Sequence, residues 1–168
     1  MRKILVTLLT LLFCGWMGAS YAQDMQIGYI NLKTILDKYE KVAVSEQELM
    51  KEAEAKNKER EELVKEVKSL REKLDLADAA QKPKQQAELD GKIKNLQEMT
   101  YQAQTTLRQR RDEKFKEIMQ EVKDVIDEYG KSKGYNMIMD DALLLYKDAK
   151  MDVTEEIVKT LNQRYKKK

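Results

Sequence analysis

Apolar residues recur along two long stretches of this chain at alternating intervals of four and three residues. The first stretch runs from Ile35 to Ala77, and the second runs from Leu89 to Tyr129. This spacing places apolar side chains along one face of a helix and is typical of a coiled-coil seam. Glu and Lys dominate the positions between them. The pattern therefore predicts two long helices with solvated outer faces.

Polar residues interrupt both seams near their middles. The second seam also has two intervals of four in succession, from Leu107 to Arg111 and on to Phe115. Such a stutter locally unwinds a coiled coil. We therefore expect a flexible zone over residues 53–63 and 100–112. The polar residues at seam positions are Glu46, Lys56, Arg60, Thr100 and Arg111.

A single proline, Pro83, separates the two stretches. Proline lacks an N–H and disfavours helix at the residue before it, so it marks a turn or the first residue of a new helix. The predicted helices, from Lys33 to Ala79 and from Lys84 to Gly130, are each about 47 residues long, or roughly 70 Å. Equal arms and a short turn predict an antiparallel helical hairpin over residues 33–130, with its tip near 79–84. The alternative is one rod broken at the proline.

Strand-like segments flank the hairpin at residues 26–31, 135–139 and 142–146, the last with the composition of a strand buried on both faces. A last helix is expected to begin near Asp152 or Thr154. Three short strands and one short helix bury little on their own. We expect residues 23–32 and 131–168 to form a small β body that associates with copies of itself. The predicted fold class is α+β, mostly α.

Residues 1–22 have the layout of a secretory signal peptide. A basic start is followed by an apolar run and by small residues before a cleavage site near Ala22-Gln23. A retained anchor is the alternative, but the run is shorter than the ~20 residues that span a bilayer. Cys14 suggests a lipoprotein, which bulky Phe13 argues against. Cleavage would remove two of the 32 basic residues and none of the 30 acidic ones.

The remaining chain offers little to catalysis. It has no His, no Cys and no glycine-rich phosphate loop, so we expect neither an enzyme nor a cofactor or metal site. Its equal numbers of basic and acidic residues interleave along the helices, which gives no electrostatic footprint for nucleic acid. A local cluster of lysines near the hairpin tip is either a solvated end or a contact for an anionic membrane or an acidic protein surface: Lys82, Lys84, Lys92 and Lys94.

A few apolar residues fall outside strict seam positions on the arms. Met50, Met99, Tyr101 and Met119 are candidates for adaptable apolar contacts with varied partners, since Met side chains are flexible. Val64 is the main apolar residue beside the seam in the outer part of the first helix. Core packing is the alternative for Met99 and Tyr101. Packing at the arm roots is the expectation for Met50 and Met119.

The order of elements resembles the Skp/OmpH family of periplasmic chaperones for outer membrane proteins. The resemblance covers the hairpin and both flanks, IGYINLKTILDKYEK and GYNMIMDDALLLYKDAKMDVTEEIVKTLNQRY. It implies a periplasmic homotrimer shaped like a jellyfish, with helical tentacles around a cavity that holds unfolded outer membrane proteins without ATP. Familiar members are strongly basic, so this neutral chain is expected to rely more on apolar contacts.

With that resemblance, six residues are predicted to form the trimer body: Ile27, Tyr29, Met137, Met139, Leu143 and Leu145. Contact with the unfolded protein is predicted for Val64, Met99, Tyr101 and the four tip lysines. The competing interpretation is a coiled-coil spacer or adaptor of the cell envelope with one fixed partner. A rigid spacer should have an uninterrupted seam, whereas both seams here contain polar residues.

Overall fold

The computed structural model describes residues 25–167, so the predicted signal peptide lies outside the described residues. Strand β1 (Ile27–Ile30) leads into helices α1 (Leu32–Lys38), α2 (Glu40–Asp75) and α3 (Lys82–Lys133). Strand β2 (Met137–Asp140), two 3₁₀ turns (Asp141–Leu143 and Ala149–Met151) and helix α4 (Thr154–Tyr165) follow. The chain is mostly helical with a small strand pair, in agreement with the predicted fold class.

Helices α2 and α3 form the predicted antiparallel hairpin, which we call the arm. Helix α3 begins with Pro83 in its first turn, where a missing N–H costs nothing. It ends at Gly134, whose φ of 76° lies in the left-handed region that favours glycine. Although α3 has 52 residues, no helix within residues 25–167 is long and apolar enough to cross a membrane.

The two strands pair in parallel, with Ile27 opposite Met137 and Ile30 opposite Asp140. The carbonyl of Tyr29 also accepts a hydrogen bond from the N–H of Val153 at 2.9 Å. Strand β1 therefore lies between β2 and the segment that precedes α4. Because the strands are parallel, the chain leaves β1 at one end of this small sheet, passes through the hairpin, and enters β2 at the other end.

One predicted strand is wrong. Residues 142–146 contain the end of a 3₁₀ turn and irregular chain, and Leu143, Leu145 and Tyr146 are exposed. The apolar run suggested a strand buried on both faces. Within residues 25–167, however, no second layer covers the run, and Asp140 caps the 3₁₀ turn by accepting the N–H of Ala142.

The first of the two predicted long helices is also not continuous. The helix ends at Lys38 and restarts at Glu40, because Tyr39 has extended backbone angles (φ −78°, ψ 111°). After this break, the residues of α2 that face α3 differ from those that a continuous helix would place there. Ser45 is buried, whereas Glu46, predicted at a seam position, is exposed.

The core lies where the arm joins the body. Residues from α1, the base of α3 and α4 converge there, and Ile35 and Ile157 have no exposed surface. Farther out, most seam residues of the arm are only half-buried. The core residues are Ile30, Ile35, Tyr39, Ile118, Val122, Val125, Val153, Ile157, Val158 and Leu161.

Candidate functional site

Five ion pairs link the two helices of the arm. Lys41 bridges Glu117 and Glu121, with Nζ to carboxylate distances of 2.5 and 3.0 Å. The residue numbers of the partners rise along α2 from Lys41 to Glu66 and fall along α3 from Glu117 to Lys92, as expected for antiparallel helices. The remaining pairs are Glu48 with Lys114 at 2.7 Å, Glu52 with Arg110 at 3.1 Å, and Glu66 with Lys92 at 2.7 Å.

These pairs all fall on one side of the plane through the two helix axes. Their members repeat along each helix at intervals close to whole turns, as from Glu48 to Glu52 and from Arg110 to Lys114. A groove of about 260 Å³ on the same side is lined by Glu52 and Met99, among others. We call this the ion-paired side of the arm.

The opposite side carries exposed apolar residues. Met50 is 59% exposed and Phe115 is 55% exposed. Val64 (43% exposed) follows Met50 by two heptads, and Tyr101 (71% exposed) precedes Phe115 by two heptads, so helical periodicity places them along the same side. These four residues define the apolar side of the arm.

Two open grooves lie between the helices on the apolar side. One of about 440 Å³ is lined by Glu46, Leu49, Met50, Ala53, Leu107 and Arg111. The other, about 340 Å³, runs from Leu36 to Phe115 near the arm root. The larger groove is lined by Glu46 and Arg111, two of the polar residues predicted to interrupt the seams. Loose packing in the middle of the arm therefore coincides with those polar residues.

The structure separates the predicted contact residues. Val64 and Tyr101 are exposed on the apolar side, but Met99 is half-buried on the ion-paired side. Lys82 and Lys84 are exposed at the start of α3. The other two tip lysines are in ion pairs, Lys92 with Glu66 across the hairpin and Lys94 with Glu98 along α3 at 3.7 Å.

Periodicity did not identify Phe115 or Met50 as surface residues. Phe115 fits the seam spacing in the sequence, yet more than half of its surface is exposed. The two successive intervals of four before it were the available signal, because a coiled coil is locally unwound at a stutter, and Arg111 within the same stutter is exposed as well. Met50, expected to pack at the arm root, is exposed within the single chain.

A side chain of the C-terminal helix, α4, stabilises the junction between the body and the arm. Asn162 of α4 accepts the N–H of Glu40 at 2.9 Å and donates to the carbonyl of Lys38 at 3.0 Å. These are backbone groups on either side of the break at Tyr39. The Tyr39 ring is buried, and its hydroxyl donates to Glu121 at 2.6 Å. Burial, together with this hydrogen bond, raises the pKa of Tyr39 far above its ordinary value.

A polar cluster fastens the exposed loop after β2 to the body. Both carboxylate oxygens of Asp141 accept from the Asn31 amide, at 3.1 and 2.9 Å, and Lys147 pairs with the same carboxylate. The hydrogen bond from Lys147, followed by that from Asn31, lowers the pKa of Asp141. The Lys147 ammonium also lies 5.2 Å from the centre of the Tyr29 ring.

The predicted body residues do not form one surface in the single chain. Tyr29 is buried, and Ile27 and Met139 are half-buried. Met137, Leu143 and Leu145 are exposed, and Tyr146 beside them is exposed as well. These last four residues are apolar side chains of the body that are uncovered in the single chain.

The described residues offer no metal-binding arrangement. Within residues 25–167, no three acidic, His or Cys side chains gather closely enough to hold a metal ion. The 160 Å³ cavity beside Tyr39 is lined by that ring and by residues already paired, such as Arg164 with Glu128. The arm and the uncovered body surface are therefore the features to which a function can be assigned.

Comparisons with known proteins agree with this architecture. Residues 26–161 match the family described as Outer membrane protein (OmpH-like). A crystal structure of an OmpH-like protein from Caulobacter crescentus CB15, described as a candidate outer membrane chaperone, superposes with a TM-score of 0.76. It is 15% identical, and the match covers 83% of this chain and 85% of that one. At this identity the likeness establishes a shared fold. No curated protein sequence matches the chain.

Proposed function

The chain belongs to the OmpH-like family, and from that membership we propose that it is a periplasmic holdase chaperone for unfolded outer membrane proteins. The family match over residues 26–161 is the observation that carries the proposal. The arm supports it independently, because its apolar side is exposed and no element within residues 25–167 covers it. A surface of this kind suits reversible contact with another polypeptide.

The proposed mechanism is encapsulation without ATP. Exposed residues such as Met50 and Tyr101 each bury a small apolar area against the client (the bound unfolded protein), at roughly 25 cal/mol per Å². No single contact is strong, so the client can detach without an energy source. Many such contacts together keep apolar client segments apart from one another and prevent aggregation.

We further propose that three copies assemble through the β body. A two-stranded sheet is marginal alone, and β2 has no strand partner on its outer edge within residues 25–167. Apolar side chains of β2 and of the loop that follows it are also exposed: Met137, Leu143, Leu145 and Tyr146. Association would cover them and would place several arms around one cavity.

The remaining partner proposal concerns the arm tip. Lys82 and Lys84 are exposed and would be available to an anionic lipid surface near the client's destination. Lys92 and Lys94 already have carboxylate partners, so they would contribute less. Any membrane contact is thus expected to be peripheral and weakened by salt.

An aggregation assay tests the proposed function. A small outer membrane β-barrel protein, denatured in urea, is diluted into buffer with and without this protein, and light scattering is followed. Suppression that saturates at three chains per client supports the proposal. If several such clients aggregate at an unchanged rate, the holdase function is wrong and a structural spacer of the cell envelope becomes the better assignment.

A further inference from the structure

The two sides of the arm differ in the desolvation free energy that contact with a partner would require. The ion-paired side carries five ion pairs that join residues of α2, from Lys41 outward to Glu66, to residues of α3. The apolar side presents Met50, Val64, Tyr101 and Phe115. We propose that the apolar side holds the client and that the ion-paired side faces outward. This inference rests on the proposed function and deepens it.

Desolvation favours this orientation. Covering the ion-paired side would remove water from charged groups whose members are partly exposed, such as Glu48 and Arg110. That penalty can exceed the attraction between the charges. Covering the apolar side removes hydrocarbon from water and is favourable. An uncharged client segment therefore binds better to the apolar side.

The distribution of the apolar residues indicates a flexible, extended client segment. Met50 and Val64 are fourteen residues apart along α2, or about 21 Å. An extended chain crosses that distance with about six residues, fewer than the roughly 9–11 of one transmembrane β-strand. A compact folded partner would instead need one continuous patch. Dispersed contact points suit a segment that alternates apolar and polar side chains.

The grooves supply adaptable space beside these contact points. Both grooves on the apolar side have volumes in the range of about 300–1,000 Å³ that is usual for ligand pockets, at roughly 340 and 440 Å³. Glu46 and Arg111, of opposite charge, line the larger one. Such a groove admits client side chains without selecting for one sign of charge.

Photo-crosslinking tests the orientation directly. p-Benzoylphenylalanine replaces Tyr101 or Phe115 on the apolar side, and Gln102 or Met99, which line the groove on the ion-paired side. The full-length protein is purified, mixed with a urea-denatured outer membrane β-barrel protein and irradiated. Tyr101 and Gln102 are neighbours in sequence, so they form a matched pair. We expect client adducts several times more abundant from Tyr101 and Phe115.

Affinity measurements complement the adduct yields. Tyr101→Lys should weaken client binding roughly fivefold through loss of one aromatic contact, whereas Gln102→Lys should leave it unchanged. Equal adduct yields from both sides, or a preference for Gln102 and Met99, would overturn the inference. Adducts from Tyr101 and Phe115 only to another copy of this chain would also overturn it, because the apolar side would then be an interface between arms.

The aggregation assay separates this inference from the proposed function. If the variants suppress client aggregation but cross-link from the ion-paired side, the holdase function stands and only the orientation is wrong. If the unmodified protein suppresses no aggregation and none of the four cross-linking variants yields a client adduct, the proposed function fails and the orientation fails with it.

Discussion

At the scale of single residues, two glycines have opposite structural roles. A Cβ on Gly28 in β1 would lie 2.9 Å from Cε1 of Tyr135, and that ring is stacked on Tyr129 at 5.9 Å between centroids. A Cβ on Gly91 in α3 would meet no other atom within 4 Å. Gly28 is therefore required for close packing, whereas Gly91 only weakens a helix.

The same methyl group should have opposite effects at these two positions. Gly28→Ala should lower the free energy of unfolding by about 1–3 kcal/mol, because the half-buried Tyr135 ring is stacked on Tyr129 and cannot move away freely. Gly91→Ala should raise it by up to about 1 kcal/mol through helix propensity. Urea denaturation of the two variants measures both effects. An unchanged or raised stability for Gly28→Ala would contradict the packing described here.

Acid should weaken the attachment of the loop after β2. The pKa of Asp141 is lowered by Lys147 and Asn31, so its contribution to stability is present above its unfolded pKa of about 3.9. It is lost as the pH falls through the lower folded value. Lys147→Met should thus destabilise the protein at pH 7, and the difference from wild type should shrink below about pH 4.

Urea denaturation at neutral and acidic pH measures that difference. Lys150→Met is the control, because Lys150 is an exposed lysine in the same loop and its removal should have no pH-dependent effect. A difference between Lys147→Met and wild type that persists unchanged at low pH would show that the Asp141 interaction does not stabilise the loop.

At the scale of elements, the joint at Tyr39 depends on one side chain of α4. Asn162→Ala removes partners from the N–H of Glu40 and the carbonyl of Lys38, and should cost about 1–2 kcal/mol of unfolding free energy. Asn162→Asp keeps only the acceptor and should fall between wild type and Ala. Exposed Gln163→Ala is the matched control. Equal stabilities of the Asn162 and Gln163 alanine variants, by urea denaturation, would refute this role.

The middle of the arm should open more often than its root. Grooves lie between the helices around Glu46, Lys56 and Arg111, whereas Ile118, Val122 and Val125 are buried at the root. Amide hydrogen exchange should be faster over residues 53–63 and 100–112 than over residues 118–129, because local opening exposes less apolar surface there. Uniformly slow exchange along the arm would contradict the flexible middle.

Sequence periodicity predicted what is local in the fold and missed what depends on distant partners. The hairpin follows from spacing alone, since a seam such as Leu63, Val67 and Leu70 needs only a helix opposite it. The break at Tyr39 fits the same spacing and is stabilised by Asn162, more than a hundred residues away. Such a partner leaves no mark in the local pattern.

The candidate site was predictable in part for the same reason. Val64 and Tyr101 stand outside the seam and are exposed, as their positions suggested. Met99 also stands outside the seam, yet the sequence alone did not reveal which side of the hairpin carries the ion pairs. Leu143 and Leu145 belong to an apolar run typical of a core, yet they are exposed in the single chain. Their proposed covering surface belongs to another copy.

At the scale of the whole molecule, the arm and the body have complementary roles in the proposed assembly. The arm is long, charge-balanced and thinly packed, so it remains soluble while keeping an apolar side exposed. The body leaves apolar side chains uncovered beside an open strand edge. Association through the body would turn separate arms into walls around one space.

Native mass spectrometry of the protein mixed with an unfolded outer membrane β-barrel protein tests this account most directly. The account predicts a species containing three copies of the chain and one client, together with a client-free species of three copies. A single chain as the only species, or three copies that never carry a client under conditions where the client stays soluble, would contradict it.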